Sequence, residues 1–365
     1  MIVREILYDH KQGYYKKGKF ESGHVHFIRI SDISDNAFLD QKSTPMINIE
    51  LDVIEKFRVK KDDFLFARTG GAGKFCLITE DIHGIYASYL IRFRFSKNYS
   101  SYFLRYYFLS DSFQTELKSK IHGGVNQNVH AENIKDCHVP NVVLPEQKRI
   151  VAKLDKCFEA IDKARANVEK NLQNAKDLFQ SQLNQIFSQK DDGWVVKKFE
   201  ECCILQRGFD LPKRLRVKGE HLLVSSSGIS DTHNEFKVLG PGVTTGRSGS
   251  IGRVFFIENN FWPLNTVLYI KNFQNNDEKF IYYLLQHFDL KRYSSGSGVP
   301  TLNRNFVHKE LISIPTSITE QKRIVIQFDK LKMKTNSLAS NYQKELDALD
   351  ELKKSILQKA FNGEL

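Results

Sequence analysis

Apolar residues recur at alternating steps of four and three along two long stretches of the chain. The positions are Ile150, Leu154, Ile161, Val168 and Leu172 in the first stretch, and Ile324, Phe328, Leu331, Leu338, Leu346, Leu349 and Ile356 in the second. This spacing is typical of a coiled-coil seam. It predicts one helix from about Glu146 to Gln189, roughly 60 Å long at about 1.5 Å per residue, and a second from Glu320 to near Asn362.

Each predicted helix carries only a narrow apolar stripe among many Lys and Glu residues. A helix of this kind is not stable alone, so each one needs a partner. We expect the two helices to pair antiparallel with each other through the positions listed above, which would hold two globular domains at opposite ends of a rod. The alternative is an intermolecular coiled coil that joins two molecules.

An internal repeat links the two stretches. The segment Leu144-Pro-Glu-Gln-Lys-Arg-Ile-Val recurs as Ile318-Thr-Glu-Gln-Lys-Arg-Ile-Val, a spacing of 174 residues. The same spacing superposes apolar positions along both helices, and a slightly different one aligns glycine-rich segments farther upstream. A repeat of this length indicates a duplicated architecture. The predicted domains are 1–143 and 191–317, each followed by a helical segment, 144–190 and 318–365.

The predicted globular domains alternate apolar and polar residues as strands do, for example in His24–Ile30 and Tyr86–Phe95, and each has one clear amphipathic helix, Tyr102–Leu109 or Glu278–Leu285. The fold class is therefore α+β: two similar domains with a mixed or antiparallel sheet plus helices, separated by two long antiparallel coiled-coil helices in a pseudo-two-fold internal repeat.

Charge and composition narrow the function. The 365 residues include 54 Lys plus Arg against 43 Asp plus Glu, a net charge of +11, which favours a polyanionic partner because basic side chains neutralise phosphates. No apolar run is long enough for a membrane span and the start lacks a signal peptide, so we expect a cytoplasmic protein. Five cysteines without Cys-x-x-Cys spacing indicate neither disulfides nor zinc.

Two glycine-rich segments, Arg68–Lys74 and Gly246–Arg253, invite comparison with a phosphate-binding loop. The first has Arg68 where a nucleotide P-loop needs glycine, and Phe75 follows Lys74 where Ser or Thr is required. A tight turn between two strands is the favoured interpretation. The flanking basic residues remain candidates for DNA phosphates.

A polar, glycine-containing loop precedes each long helix, and a basic cluster lies early in each domain. Amides, hydroxyls and cations on such loops suit base edges and phosphates, although ordinary polar turns and solvated charge have the same composition. The candidate DNA-binding residues are Lys16, Lys17, Arg68, Lys74, Lys120, His122, Asn126, Gln127, Asn128, Arg207, Lys213, Arg214, Arg247, Arg253, Arg292, Tyr293, Ser295, Asn303 and Arg304.

The sequence offers no candidate catalytic or metal-binding residue. There is no adenosylmethionine-binding glycine strand and no Asn-Pro-Pro-Tyr motif. The Glu-x-Lys pairs at Glu116 and Glu351 follow no Pro-Asp and are interpreted as surface charge. We therefore expect a chain without chemistry of its own.

Nearly the whole chain resembles the specificity subunit of a type I restriction-modification system. The resemblance is carried by the two Glu-Gln-Lys-Arg-Ile-Val openings, by Gly246-Arg-Ser-Gly-Ser-Ile-Gly-Arg, by Trp262-Pro-Leu-Asn-Thr, by Gly298-Val-Pro-Thr-Leu-Asn and by the ending Leu352-Lys-Lys-Ser-Ile-Leu-Gln-Lys-Ala-Phe-Asn-Gly. The first domain departs from the pattern, with Tyr86-Ala-Ser-Tyr in place of the Trp-Pro-Leu-Asn run.

The resemblance implies that each globular domain is a target recognition domain for one half of a bipartite DNA sequence, and that the paired helices set the spacer and dock the partner subunits. It implies two modification subunits that bring S-adenosylmethionine, and restriction subunits that bring ATP and Mg²⁺. Two alternatives stay open: a coiled-coil scaffold that binds protein, and the recognition part of another class of DNA methyltransferase.

Overall fold

The computed structural model of the chain describes residues 1–16, 22–71, 73–121, 128–188, 193–296 and 300–365. Internal contacts divide the chain into two compact units. The first unit comprises Met1–Asn167 and Glu345–Leu365, and the second comprises Val168–Lys344. Both boundaries fall inside the long helices, so each unit combines one globular domain with a segment of each helix.

The globular part of the first unit is a mixed α+β domain. Its elements are α1 (Val3–Ile6), β1 (Leu7–Gln12), β2 (Val25–Ile28), β3 (Met46–Ile47), α2 (Leu51–Phe57), β4 (Phe64–Ala67), β5 (Phe75–Leu77), β6 (Gly84–Tyr86), β7 (Leu90–Phe95), α3 (Ser101–Leu109), α4 (Asp111–Ser119) and α5 (Ala131–Lys135), followed by the long helix α6 (Leu144–Phe187). Short 3₁₀ turns lie at Ile30–Asp32 and Gln41–Ser43.

Two sheets organise the described strands of this domain. The larger has the order β1-β7-β4-β5 with antiparallel neighbours, and the smaller has the order β3-β2-β6, in which β2 and β6 run parallel. The core between the larger sheet and α3 and α4 is rich in phenylalanine. Its members include Phe64, Phe66, Phe75, Phe93, Phe108 and Phe113, whose rings meet at stacked, tilted and edge-on angles.

The second unit follows the same plan. Its elements are β8 (Trp194–Lys198), α7 (Phe199–Cys202), β9 (Ile204–Arg207), β10 (His221–Ser225), β11 (Gly228–His233), β12 (Gly242–Gly246), β13 (Val254–Ile257), β14 (Phe261–Pro263), β15 (Val267–Asn272), α8 (Glu278–His287), β16 (Ser294–Ser295), β17 (Thr301–Leu302), α9 (Arg304–His308), β18 (Leu311–Pro315) and the long helix α10 (Ile318–Phe361). Further 3₁₀ turns lie at Lys213–Leu215 and Leu290–Tyr293.

The strand order shows that the two domains share one topology. Across the described residues, the sheet β9-β15-β12-β13 repeats β1-β7-β4-β5, and the sheet β11-β10-β14 repeats β3-β2-β6, including the parallel pair β10 and β14. Helix α8 follows β15 as α3 follows β7. The predicted fold class and its internal repeat are confirmed.

The long helices pair antiparallel inside each unit. In the first unit the Arg149 guanidinium donates to the Leu365 carbonyl oxygen at 2.7 Å, and Lys353 Nζ lies 3.3 Å from an Asp162 carboxylate oxygen. The start of α6 therefore faces the end of α10. In the second unit the rings of Phe179 and Phe187, near the end of α6, pack on Phe328, near the start of α10.

The repeated Glu-Gln-Lys-Arg-Ile segment ties each helix to its own domain. Gln147 is fully buried: its Oε1 accepts from Ser100 N at 2.8 Å, and its Nε2 donates to the Asn98 and Val142 carbonyl oxygens at 3.2 and 2.7 Å. In the second unit Gln321 is buried and bonded in the same way, to Asp277 N, the Asn276 side chain and the Pro315 carbonyl oxygen. A buried amide with three partners fixes the angle at which the helix leaves the domain.

A tyrosine on each short helix supplies a second link. The Tyr106 hydroxyl donates to Asp155 of α6 at 2.6 Å, and the Tyr283 hydroxyl donates to Asp329 of α10 at 2.5 Å. Burial, followed by the bond to the carboxylate, raises the pKa of Tyr106 to about 12 and raises that of Tyr283 as well. Both phenols are neutral donors near neutral pH.

Some predictions need correction. The strand predicted over Tyr86–Phe95 is two strands, β6 and β7, in different sheets, since a turn at residues 87–89 separates them. Leu338, predicted in the seam, is 41% exposed; the buried position one turn earlier is Thr335, whose hydroxyl donates to the Leu331 carbonyl oxygen at 3.0 Å. In the described part of the chain, no helix has the length and apolar character needed to cross a bilayer.

Candidate nucleic-acid interface

The two glycine-rich segments form turns between adjacent strands. The first connects β4 to β5, with Gly70 and Gly73 at positive φ, and the second connects β12 to β13, with Gly249 and Gly252 at positive φ. Positive φ is readily adopted by glycine alone among common residues. The prediction of tight turns is confirmed, and the absence of a following helix in these described segments separates them from a nucleotide P-loop.

In the first unit, three segments meet beside this turn. Arg68 N donates to the Tyr89 carbonyl oxygen at 2.7 Å, which ties the turn to the segment after β6. The Arg68 carbonyl oxygen accepts from Val129 N at 2.7 Å, which ties the turn to the polar loop that precedes α5. The glycine-rich turn and the described end of the polar loop, Asn128 and Val129, therefore belong to one edge of the domain.

The end of β1 reaches the same edge. The Gln12 side chain donates to the Ser88 carbonyl oxygen at 3.2 Å, and Tyr14 forms a parallel bridge with Ala87. Glycine is required between them, because a Cβ on Gly13 would lie 2.2 Å from the Ala87 carbonyl oxygen. Tyr15 follows and is 64% exposed.

The second unit repeats these contacts. Arg247 N donates to the Thr266 carbonyl oxygen at 2.9 Å, and the Arg247 carbonyl oxygen accepts from Leu302 N at 2.7 Å. A bridge between Ser248 and Thr301 adds to the junction. The guanidinium of Arg247 donates to the Asn265 carbonyl oxygen at 3.2 Å, so this arginine supports the edge through both its main chain and its side chain.

The end of β9 reaches this edge as the end of β1 reaches the other. Phe209 forms a parallel bridge with Leu264, and a Cβ on Gly208 would lie 2.3 Å from the Leu264 carbonyl oxygen. Arg207 and Asp210 flank this anchored pair and form an ion pair at 3.2 Å. We call the two surfaces the first edge (Gln12–Lys16, Arg68–Gly71, Gly73–Lys74, residues 87–89 and Asn128) and the second edge (Arg207–Asp210, Arg247–Arg253, Asn265–Thr266 and residues 300–304).

The structure places the predicted DNA-binding residues in different environments. Exposed candidates are Arg207, Lys213, Arg214, Arg253, Arg292, Ser295 and Arg304; half-buried candidates are Lys16, Arg68, Lys74, Lys120, Asn128, Arg247 and Asn303; Tyr293 is buried. The candidates Lys17, His122, Asn126 and Gln127 lie outside the described residues. On the two edges themselves lie Lys16, Arg68, Lys74, Asn128, Arg207, Arg247, Arg253, Asn303 and Arg304.

Several candidates have structural contacts of their own. Tyr293 is 8% exposed and packs in the core of the second unit, and burial raises its pKa. Arg292 binds the Tyr293 hydroxyl and lies 3.4 Å from Glu310. Lys120 forms an ion pair with Glu116 at 3.4 Å. Asn303 caps α9, where its side chain accepts from Asn305 N. These contacts position the polar loops and leave their exposed neighbours to meet a ligand.

Tyr15, Tyr89, Asp210 and Asn265 lie on the edges and were not among the residues predicted from the sequence. Tyr89 is 56% exposed beside Arg68, and Tyr15 is exposed at the end of β1. Asp210 and Asn265 are joined by a side-chain hydrogen bond on the second edge. Only Asn265 carried a signal, as a member of the Trp-Pro-Leu-Asn run. The others follow strands of different sheets, and only the folded chain brings them together.

The described residues contain no group of three or more His, Cys, Asp or Glu side chains arranged to hold a metal ion. The cysteines most enclosed by the core have strongly raised pKa values: burial raises the pKa of Cys76 to about 12 and also raises that of Cys203. Thiols in this state are poor nucleophiles. The polar and cationic side chains of the two edges are suited to binding an anionic ligand.

One curated relative resembles part of the chain. The chain is 26% identical over 167 residues to the type I restriction enzyme EcoBI specificity subunit of Escherichia coli, an alignment that covers 45% of this chain and 35% of that subunit. The chain thus matches about a third of the length of this relative.

Two solved structures share the fold. One is a chain from work on complex assembly and conformational transition of the type I R-M system, with TM-score 0.83, 18% identity and coverage of 100% of this chain and 97% of that one. The other is the HsdS subunit from Thermoanaerobacter tengcongensis, with TM-score 0.60, 17% identity and coverage of 100% and 96%. At these identities the likeness concerns the fold alone.

The family model described as type I restriction modification DNA specificity domain matches residues 4–171 and again residues 175–348. The two matches cover most of the chain and correspond to the duplication found in both sequence and topology. The chain therefore belongs to the family of type I restriction-modification DNA specificity domains.

Proposed function

We propose that this chain is the non-catalytic DNA-recognition subunit of a type I restriction-modification complex, in which each unit reads one half of a bipartite DNA target. The observation that carries the proposal is the pair of edges. Both are built on the same strand ends and the same main-chain bonds, yet they present different side chains. A duplicated frame with diverged surfaces suits two readers of unlike sequence.

The frame suits DNA reading for a physical reason. Residues that read bases must be held on rigid elements, because base discrimination depends on hydrogen-bond geometry. On each edge, main-chain hydrogen bonds anchor the arginine at the glycine-rich turn, and a glycine lets the neighbouring strand end approach closely. The net charge of +11 adds the sequence-independent attraction to phosphates on which DNA binding depends.

The partners and the spacer belong to the same proposal. We infer that the paired helices set the unread gap and dock two modification subunits, which bind S-adenosylmethionine and methylate the DNA in the cytoplasm. ATP and Mg²⁺ belong to the restriction subunits. Support comes from the helices themselves: the exposed face of α10 carries apolar side chains at Ile326 and Met333, which are more than half exposed.

Methylome sequencing of cells that carry the intact system tests the proposal with two matched variants. Exchanging residues 191–317 for the corresponding domain of a relative should change one half of the methylated motif and keep the gap. Inserting four residues at both unit boundaries, after Asn167 and after Lys344, adds roughly 6 Å of helix. It should leave both halves unchanged and lengthen the gap by about one or two base pairs. Changes in both halves after the exchange, or an unchanged gap after the insertion, would contradict the proposal.

A further inference from the structure

On the second edge, the side chains of Arg207 and Asn265 both bind the carboxylate of Asp210. Arg207 Nη2 lies 3.2 Å from each oxygen of Asp210, and Asn265 Nδ2 donates to the same carboxylate. Arg207 and Asp210 are about half exposed, so the group faces outward and is accessible to a ligand. Three residues from separate segments are thus joined into one network at the surface.

The backbone beneath this network is fixed. Phe209 N donates to the Pro263 carbonyl oxygen at 2.8 Å, and Gly208 N donates to that of Val267 at 3.1 Å. The Phe209 ring packs on Trp262, with 6.3 Å between the ring centroids. Arg207 therefore starts from an anchored main chain and is held at its tip by Asp210. Less rotamer entropy is lost when an arginine restrained in this way binds a ligand.

Stability does not account for the arrangement. An exposed ion pair of this kind contributes little to folding stability, and Asp210 has a second partner in Asn265. Among the described residues, no protein acceptor bonds to Nε or Nη1 of Arg207, and Oδ1 of Asn265 accepts no hydrogen bond. Each side chain is thus bound to Asp210 through one nitrogen, Nη2 of Arg207 or Nδ2 of Asn265, and its remaining polar atoms can bind a ligand.

We propose that Arg207 reads a guanine in the major groove and that Asp210 is the positioning residue that aims it, with Asn265 held beside it. The planar guanidinium matches the O6 and N7 acceptors of guanine, which is the commonest specific contact of arginine with DNA. This inference rests on the proposed function and deepens it, since it names a base and the group that recognises it.

The first edge supports the assignment by contrast. Gln12 occupies the same position in the pairing of β1 with β7 as Arg207 does in the pairing of β9 with β15, and Tyr15 occupies that of Asp210. Ser88 lies where the second unit has Asn265. The first unit thus lacks the carboxylate and the guanidinium, and it should not read guanine through this position.

The test is a double-mutant cycle on the full chain assembled with its modification subunits. The DNA probes are duplexes that carry the methylated motif, with each guanine replaced in turn by 7-deazaguanine, which lacks the N7 acceptor. In the wild-type complex, one such replacement in one half of the motif should weaken binding roughly five- to 150-fold. With Arg207→Ala, the same replacement should cost no further affinity, because the contact is already lost.

Asp210→Asn separates positioning from general binding. It keeps the shape of the side chain and removes the charge, so discrimination at the same guanine should fall. Affinity for an unrelated duplex should stay the same or rise, because one negative charge near the phosphates is removed. Arg4→Ala is the matched control: Arg4 is also about half exposed and bound to carboxylates, those of Glu132 and Asp136, but it lies on α1 of the first unit and belongs to neither edge. It should leave every position unchanged.

The outcomes separate this inference from the function it rests on. If Arg207→Ala keeps the wild-type penalty for 7-deazaguanine at every position, the assignment of Arg207 is wrong even though the complex still reads DNA. If the wild-type complex binds the methylated motif no better than an unrelated duplex, the proposed function fails and the inference with it. A change confined to one guanine and shared by Arg207→Ala and Asp210→Asn supports the assignment.

Discussion

The two units have the same frame and different surfaces. In both, a buried glutamine of the long helix binds the start of a short helix, and a tyrosine of that short helix binds an aspartate of the long one. At the ends of β1 and β9, by contrast, the side chains differ: Gln12 and Tyr15 in the first unit correspond to Arg207 and Asp210 in the second. The frame tolerates little change because its polar groups are buried, whereas the edge is free to vary because its side chains are exposed.

The interiors of the sheets also differ. In the first unit, Arg92 and Arg94 on β7 bind Asp9 and Asp63. In the second unit, the position of Arg92 is taken by Tyr269, which packs on Phe209 with 5.9 Å between ring centroids. The first unit therefore depends on buried charge at a point where the second depends on aromatic packing.

The largest expected effect concerns Arg94, which also belongs to the buried charge of the first unit. Its counterpart in the second unit is the exposed Lys271. Arg94→Ala leaves the Asp63 carboxylate, 2% exposed, with Lys60 N as its remaining donor among the described residues, and should destabilise the first unit by about 3 kcal/mol. The matched change in the second unit, Lys271→Ala, removes an exposed side chain and should have almost no effect. Hydrogen exchange followed by mass spectrometry checks both, since it reports the protection of β4 and β7 separately from that of β12 and β15. Equal losses in the two units would contradict the comparison.

A somewhat smaller effect should be shared by both units. Gln147→Leu and Gln321→Leu keep the side-chain volume but remove the hydrogen bonds that each glutamine makes to a main-chain N–H and a main-chain carbonyl oxygen. The free energy of unfolding should fall by about 2–3 kcal/mol for each substitution, because these main-chain groups lose their partners. The controls are Glu146→Gln and Glu320→Gln, which remove exposed ion pairs with Arg149 and Arg323 and should cost far less than the glutamine substitutions. Chemical denaturation measures the difference. A strong loss for one glutamine and none for the other would show that the frames are not equivalent.

The smallest expected effect concerns the tyrosine links. Tyr106→Phe and Tyr283→Phe should each cost about 1–2 kcal/mol at neutral pH, because a hydrogen bond to a carboxylate is lost. In the folded chain the pKa of Tyr106 is raised from 10 to about 12, so this link contributes fully below about pH 10 and is lost as the pH rises through 12. Denaturation curves at pH 8 and pH 11 should therefore show a smaller penalty for the substitutions at the higher pH. A penalty that grows with pH would refute this account.

The candidate interface could be predicted only in part. The glycine-rich turns and the basic residues beside them were visible because glycine and charge leave clear marks in a sequence. Asp210 was not, since its role depends on Asn265, which lies far along the chain in a different sheet connection. Tyr293 shows the opposite case: its sequence neighbours suggested an exposed loop, but the core of the second unit encloses its ring.

By itself, the sequence determined the duplicated plan, the two long helices and the turn at each glycine-rich segment, since these depend on periodicity, repeats and backbone freedom, which are local properties. Only the tertiary structure decided that Gln147 and Gln321 are buried and hydrogen-bonded to their domains, and that Leu338 lies outside the seam. It also decided that strand ends and turns meet on a common edge in each unit. Burial and hydrogen-bond partners depend on contacts between residues far apart in the chain, and the local pattern carries no record of them.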